Sequence, residues 1–154
     1  DQDHENNYVE GHFSQEQNLI YKFKQLFLVL IGNAVQKYGK KLEEQQQILL
    51  ALSDILIEIY FAESALLRTI KNLERDEIEA QEITKAIVEF YVFEAHDIVN
   101  KKGKEVILNI SQAKEQKQLL EALKKNCSYR EYPNIIEIKT KIADKFIKEN
   151  RYFI

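Results

Sequence analysis

An all-α fold, an antiparallel bundle of four to five helices, is what this sequence predicts, and three observations carry that prediction. Among 154 residues there are only four glycines and one proline, so the chain has few places to turn and favours long helices over many short strands. Hydrophobic residues make up 45% of the chain, enough at this length to close a core. Those residues recur at helical rather than alternating spacing, and short links between long helices make the antiparallel arrangement the default.

Each element follows in chain order. Residues 1–13 (DQDHENNYVEGHF) are polar and aperiodic and read as a linker or frayed head, leaving 14–154 for the bundle. Ser14 and Gln17 stand at capping-box spacing and predict a helix from there to about Tyr38. Its middle, Leu26-Phe27-Leu28-Val29-Leu30-Ile31, is apolar all round and predicts burial on every side. Gly32 costs that helix about 1 kcal/mol of propensity, which predicts a neighbouring helix in close approach. Gly39 breaks the chain, and a second helix is predicted from about residue 42 to 75. Ile48, Leu52, Leu56, Ile59, Leu66 and Ile70 form its apolar stripe, while Gln47, Ala51, Asp54, Glu58, Ala65 and Arg68 form a polar, small-residue face. A third helix, about 76 to 102, is expected to point Ile83, Ile87, Tyr91 and Ile98 inward and to end or bend at Gly103. A fourth continues to about Lys125. Pro133 suits the first turn of a last helix ending near Glu149.

Charge excludes some functions. The net charge of −3 argues against a general nucleic-acid binder. The charge is uneven, however: residues 1–18 hold five acids (Asp1, Asp3, Glu5, Glu10, Glu16) and no Lys or Arg. Residues 101–154 carry an excess of six positive charges. Lys101, Lys102, Lys104, Lys114, Lys117, Lys124 and Lys125 could meet anionic lipid headgroups, although such lysines are more often a solvated face. Cys127 is the single cysteine; no internal disulfide is possible, and a reducing, cytoplasmic setting is expected. The polar N-terminus predicts no secretory signal, and the longest apolar run is far short of a membrane span. The chain holds no methionine, not even at position 1, which points to a piece of a longer chain.

A search for chemistry finds little. Glu63 falls on the apolar stripe of the second helix and Glu94 on that of the third. Two inward carboxylates could form an acid–base pair or part of a di-iron site, but the latter needs Glu-x-x-His pairs and none exists. His4 and His12 lie in the head, and His96 is two residues from Glu94, a spacing that points to another face. Buried or rim glutamates paired with Arg, Lys or Tyr are the simpler reading. Eight Tyr and eight Phe read as packing rather than base-stacking platforms. Cys127 has no neighbour in sequence that would lower its pKa and reads as a structural thiol. No Gly-rich phosphate loop, G-x-S-x-G or Cys-x-x-Cys occurs. No catalytic, cofactor-binding or metal-binding residue is assigned.

Several stretches carry a family resemblance: AVQKYG at 34–39, EEQQQIL at 43–49, ILIEIYFAESALLRT at 55–69, VEFYVFEAHDIVNKKGKEVI at 88–107 and IADKFIKENRYFI at 142–154. In that order they resemble the C-terminal extension of large bacterial acyl-CoA dehydrogenases related to the very-long-chain enzymes. The likeness spans most of 19–110 and the last thirteen residues, and fades in the head and around 128–134. It implies a helical bundle that follows the FAD-binding dehydrogenase domains and packs on the rest of a homodimer, with peripheral membrane association in the very-long-chain relatives. It implies a parent reaction in which a catalytic Glu acts as base on an acyl-CoA thioester and FAD accepts the hydride. No residue here matches that Glu, so Glu58, Glu63 and Glu94 are not given its role, and FAD is expected in the parent rather than in this chain. The alternative is a free-standing helical adaptor or dimerisation bundle using the face of Ala51, Asp54, Glu58, Ala65 and Arg68. The terminal Arg151-Tyr152-Phe153-Ile154 is expected to dock on the bundle or on the missing domains.

Overall fold

In a computed structural model, residues 13–75 and 77–152 are described, the last two (Arg151 and Tyr152) without their side chains. They form five α-helices and one 3-10 turn: α1 (Ser14–Tyr38), the 3-10 turn (Gly39–Glu44), α2 (Gln46–Asn72), α3 (Ile78–Ile110), α4 (Ala113–Asn126) and α5 (Ile135–Tyr152). The fold class expected from composition and spacing is the one observed.

The organising element is α3, whose 33 residues reach about 50 Å at 1.5 Å per residue. It packs against every other helix. Cross-links give the directions. Lys24 pairs with Glu63, and Lys102 with Asp54 at 3.8 Å, so α2 runs antiparallel to both α1 and α3. Lys37 Nζ donates to the Asn109 carbonyl at 3.0 Å, so the end of α1 lies beside the end of α3. α4 lies against the second half of α3, with Leu123 packed over Gly103 and the Cys127 thiol donating to the His96 carbonyl at 3.3 Å. α5 packs on α3 alone among the helices. Thus α4 and α5 lie in tandem along the long α3 and together take the place of one bundle helix.

The core runs the length of that assembly: Phe23, Leu26 and Leu30 of α1, Ile55 of α2, and Val88, Val92, Val99, Val106 and Ile107 of α3 are essentially inaccessible to water. Burying one such side chain contributes about 1.5–3 kcal/mol, so the packed faces rather than helix propensity hold the elements.

Several local expectations are corrected. The start of α1 is not a capping box. Phe13 is the N-cap residue, at φ 69° and without a side-chain cap bond. That left-handed backbone costs about 1–2 kcal/mol for an L-residue, and the ring is held down by its burial. The middle of α1 is not buried all round, since Leu28 and Val29 are 58% and 42% exposed. Gly32 has no neighbouring atom where a Cβ would stand, whereas Gly103 would place one 3.1 Å from Leu123 Cδ1 and 3.8 Å from Leu30 Cδ1. The glycine that permits close approach is therefore Gly103. It lies inside α3 and does not end it; the helix carries on to Ile110, where the Ser111 hydroxyl donates back to the Ile107 carbonyl at 2.6 Å. Leu56 of the expected apolar stripe is exposed, and Ala51 of the polar face is buried. On α3 the inward stripe is Val88, Val92, Ala95 and Val99, with Tyr91 exposed. Aromatic and isoleucine side chains drew the expected stripe one position off the small Val and Ala that a close α2–α3 contact selects. Pro133 precedes α5, and Asn134 Oδ1 accepts from the Glu137 amide at 3.3 Å, a side-chain cap of the usual kind.

Candidate interaction surface

The polar, small-residue face foreseen on α2 faces α3. Ala51 and Ala62 let the two backbones approach, and Asp54, Glu58, Ala65 and Arg68 follow along the same seam. Asp54 meets Lys102, which also lies 3.5 Å from Glu105. Among the described residues no cation pairs with Glu58. Its partial burial, followed by the charges of Glu94 and Asp54, raises its pKa. Further along, the seam opens into a groove of about 370 Å³ between α2 and α3, lined by Phe61, Ser64, Ala65, Arg68, Thr69, Thr84, Ile87 and Tyr91.

Glu63 and Glu94 are not brought together. Glu63 leaves the apolar stripe for the α1 side, where it pairs with Lys24 at a half-exposed rim. Glu94 lies on the α3 side within the field of Glu58. The reason is the helical angle: Glu63 sits one position past Ala62, which takes the buried place against α3. Among the described residues no group of three His, Cys, Asp or Glu side chains is placed to hold a metal ion.

His96 is a residue whose setting the sequence did not disclose. It is buried beneath Phe93, Tyr129 and Tyr132, with ring centroids at 6.0, 5.1 and 5.7 Å, and its Nδ1 lies 3.0 Å from Asp97 Oδ1. Tyr129 is buried in the same cluster, and among the described residues its hydroxyl has no hydrogen-bond partner. Burial and then the charge of Glu16 push its pKa up. Glu16 itself is raised by burial, with Glu89 adding to the rise and Lys85 opposing it. Cys127 borders this cluster as a buried thiol pushed up to about 12, mostly by burial and secondly by Asp97. These residues are brought together by α1, α3 and the segment after α4, a juxtaposition that no local spacing encodes. His4 and His12 lie outside the described residues, as do Phe153, Ile154 and the side chains of Arg151 and Tyr152.

The outer surface of α2 is the largest departure from a finished bundle. Leu50, Leu56, Ile57, Tyr60, Phe61 and Leu67 are each 50–68% exposed. At 100° per residue they occupy one broad arc opposite the core. On α1, Leu28 and Val35 are also exposed, at 58% and 51%. A contiguous apolar surface on this scale marks an interaction site more often than it does a free monomer surface. The basic stretch is less distinctive. Lys101, Lys104, Lys114, Lys117, Lys124 and Lys125 are exposed, and Lys102 is occupied by its two acidic partners. No described helix is long and apolar enough to cross a membrane.

Comparison with known proteins decides the family. Residues 22–125 match the model of the acyl-CoA dehydrogenase C-terminal domain. The chain belongs to that family. A protein of Bacillus subtilis (strain 168) described as "Probable acyl-CoA dehydrogenase" is 30% identical over 145 residues, covering 94% of this chain and 24% of the relative. The crystal structure of an acyl-CoA dehydrogenase complexed with FAD from Bacillus anthracis superimposes with a TM-score of 0.85 at 28% identity. That match covers 92% of this chain and 24% of the other. The chain thus spans about a quarter of the length of each of these relatives. The resemblance read from AVQKYG, EEQQQIL and the longer stretches of α2 and α3 was therefore to the right family and to the right part of it.

Proposed function

We propose that this chain is a non-catalytic accessory domain of an FAD-dependent acyl-CoA dehydrogenase. It packs against the dehydrogenase body and supports the assembly of a homo-oligomer. The observation that carries the reading is the exposed apolar surface of α2, in a chain whose relatives are about four times as long. Burying surface of this kind against the body would add stability at about 25 cal/mol per Å². The parent reaction is α,β-dehydrogenation of a fatty acyl-CoA, with FAD and the base held upstream. In support, Glu63 is held in an ion pair with Lys24. A cytoplasmic setting goes with this reading, and so does a solvated role for the exposed lysines. The free-standing adaptor has no comparable support.

The test is deletion of residues 14–154 from the parent dehydrogenase. The truncated enzyme is expected to keep the flavin spectrum while losing melting temperature and assembly. A truncated enzyme of unchanged stability and assembly, or oxidation of acyl-CoA by this chain alone, would reject the reading.

A further inference from the structure

We infer that the dehydrogenase body docks on the outer face of α2 and sets a carboxylate-bearing side chain, flanked by an apolar one, into the groove between α2 and α3. This inference rests on the docking function proposed above and names the surface and the chemistry of the contact.

Three features of the surface converge. The first is its extent. From Leu50 to Arg68 the exposed arc of α2 runs roughly 27 Å, and a helix is about 10–12 Å wide, giving on the order of 300 Å². The α3 wall of the groove, with Tyr91 and Ile87, adds to that area. A stable interface between separate proteins needs about 800 Å² per partner. Tethering to the same chain lowers that requirement, because the second contact becomes intramolecular at an effective concentration in the millimolar range.

The second feature is charge. Arg68 lines the groove, and among the described residues no carboxylate pairs with it. Its guanidinium presents five donors in a planar fork that fits a carboxylate in bidentate fashion. The hydroxyls of Ser64 and Thr69 line the same wall. Thr84 opposite is engaged within α3, donating to the Ala80 and Gln81 carbonyls at 3.0 Å.

The third is the pair of exposed rings. Phe61 on the α2 wall and Tyr91 on the α3 wall, at 56% and 41% exposure, line the groove, with Ile87 one turn before Tyr91. Aromatic and arginine side chains around an apolar pocket are the composition that dominates binding energy at protein interfaces. Loose lysines do not supply it, and α4, the most lysine-rich helix, offers no such pair of rings.

The occupant follows from these features. A membrane headgroup layer would call for several cations around the apolar face, and among the described residues Arg68 is the one cation lining the groove. Three quarters of the length of the relatives lies outside this chain. A body surface offering one acid among apolar side chains complements what the groove presents.

The test uses the complete dehydrogenase chain loaded with FAD, with a photo-reactive benzoylphenylalanine placed singly at Phe61, at Phe146 on the exposed side of α5, or at Lys117 on α4. The expected result is a cross-link from position 61 to a peptide of the dehydrogenase body, with none from 117. At the urea concentration where half of the parent chain cross-links, Arg68→Glu should lower the ratio of cross-linked to free chain on the order of tenfold, a loss of about 1.4 kcal/mol. Arg68→Lys should lower it less. A cross-link from 61 to the same domain of a second copy would overturn the inference and make the face a self-association surface. Cross-links to the body from 146 or 117 but not from 61 would also overturn it while leaving the docking function intact. No cross-link to the body from any position would remove both.

Discussion

Alanine in place of each of two helical glycines isolates what close packing at Gly103 is worth. Gly32 and Gly103 both lie inside long helices, so either substitution gains the same helix propensity, about 1 kcal/mol. Each also removes similar conformational freedom from the unfolded chain. At position 32 the new methyl meets nothing within 4 Å. The expected gain is therefore the whole 1 kcal/mol, a rise in melting temperature of about 2–4 °C for a chain of this size. At position 103 the methyl would stand 3.1 Å from Leu123 Cδ1 and 3.8 Å from Leu30 Cδ1. Leu123 must give by a few tenths of an ångström, and it is itself buried between α3 and α4. Overpacking of that kind typically costs 1–3 kcal/mol, so Gly103→Ala should end between no change and a loss of about 2 kcal/mol. Gly103→Val should be worse, adding a second methyl and a β-branch. The assay is thermal and urea unfolding of the three variants beside the parent sequence at one pH. Equal stabilisation by alanine at both sites would refute the packing argument, and with it the placement of α4 against the second half of α3.

Further predictions concern the buried polar cluster. Tyr129→Phe should be neutral or stabilising by up to about 1 kcal/mol, because the hydroxyl it removes is desolvated and unpartnered; a loss above 1 kcal/mol in unfolding would reveal a partner. Cys127 should resist thiol reagents at pH 8 in the folded protein and react once urea unfolds it, since burial holds it protonated up to about 12; fast reaction under native conditions would contradict its burial. Glu16 carries a pKa above its ordinary 4.5, so its charged form is disfavoured by folding. The stability it contributes is present below 4.5 and lost as pH rises through the folded value. Glu16→Gln should therefore raise the melting temperature at pH 7 and make no difference at pH 4, and the opposite ordering would refute the assignment.

The sequence makes the fold class legible because long helices write a strong period and because four glycines and one proline leave little else to build. Helix faces were less legible. Tyr91 and Leu56 look like core residues in a pattern count, yet each lies on an outer arc, while the smaller Ala51, Ala62 and Ala95 hold the buried seam between α2 and α3. Close helix approach selects small side chains, so hydrophobicity alone misplaces the stripe by about one position. Gly32 and Gly103 exchange roles for a related reason: a glycine in a helix signals either space or contact, and only the partner helix decides which. The cluster of His96, Cys127 and Tyr129 was not visible either, since 31 residues separate Cys127 from the carbonyl it meets. The candidate surface was half legible. Arg68 and Ala65 belonged to the face offered for a partner, but the apolar arc of Ile57, Tyr60, Phe61 and Leu67 reads in a sequence as more core. Exposed apolar residues that a partner covers have the composition of an interior.

On this reading the domain is held by the dehydrogenase body through contact rather than by the linker alone. The direct measurement is to express the upstream, FAD-bearing segment of the parent enzyme separately, mix it with this chain, and follow flavin absorbance and protein through size exclusion. The account predicts that the chain co-elutes with the flavin and that all acyl-CoA oxidation belongs to the upstream piece. Separate elution at tens of micromolar, well above the low-micromolar affinity (about −8 kcal/mol) that a modest interface of this composition should reach, would contradict it.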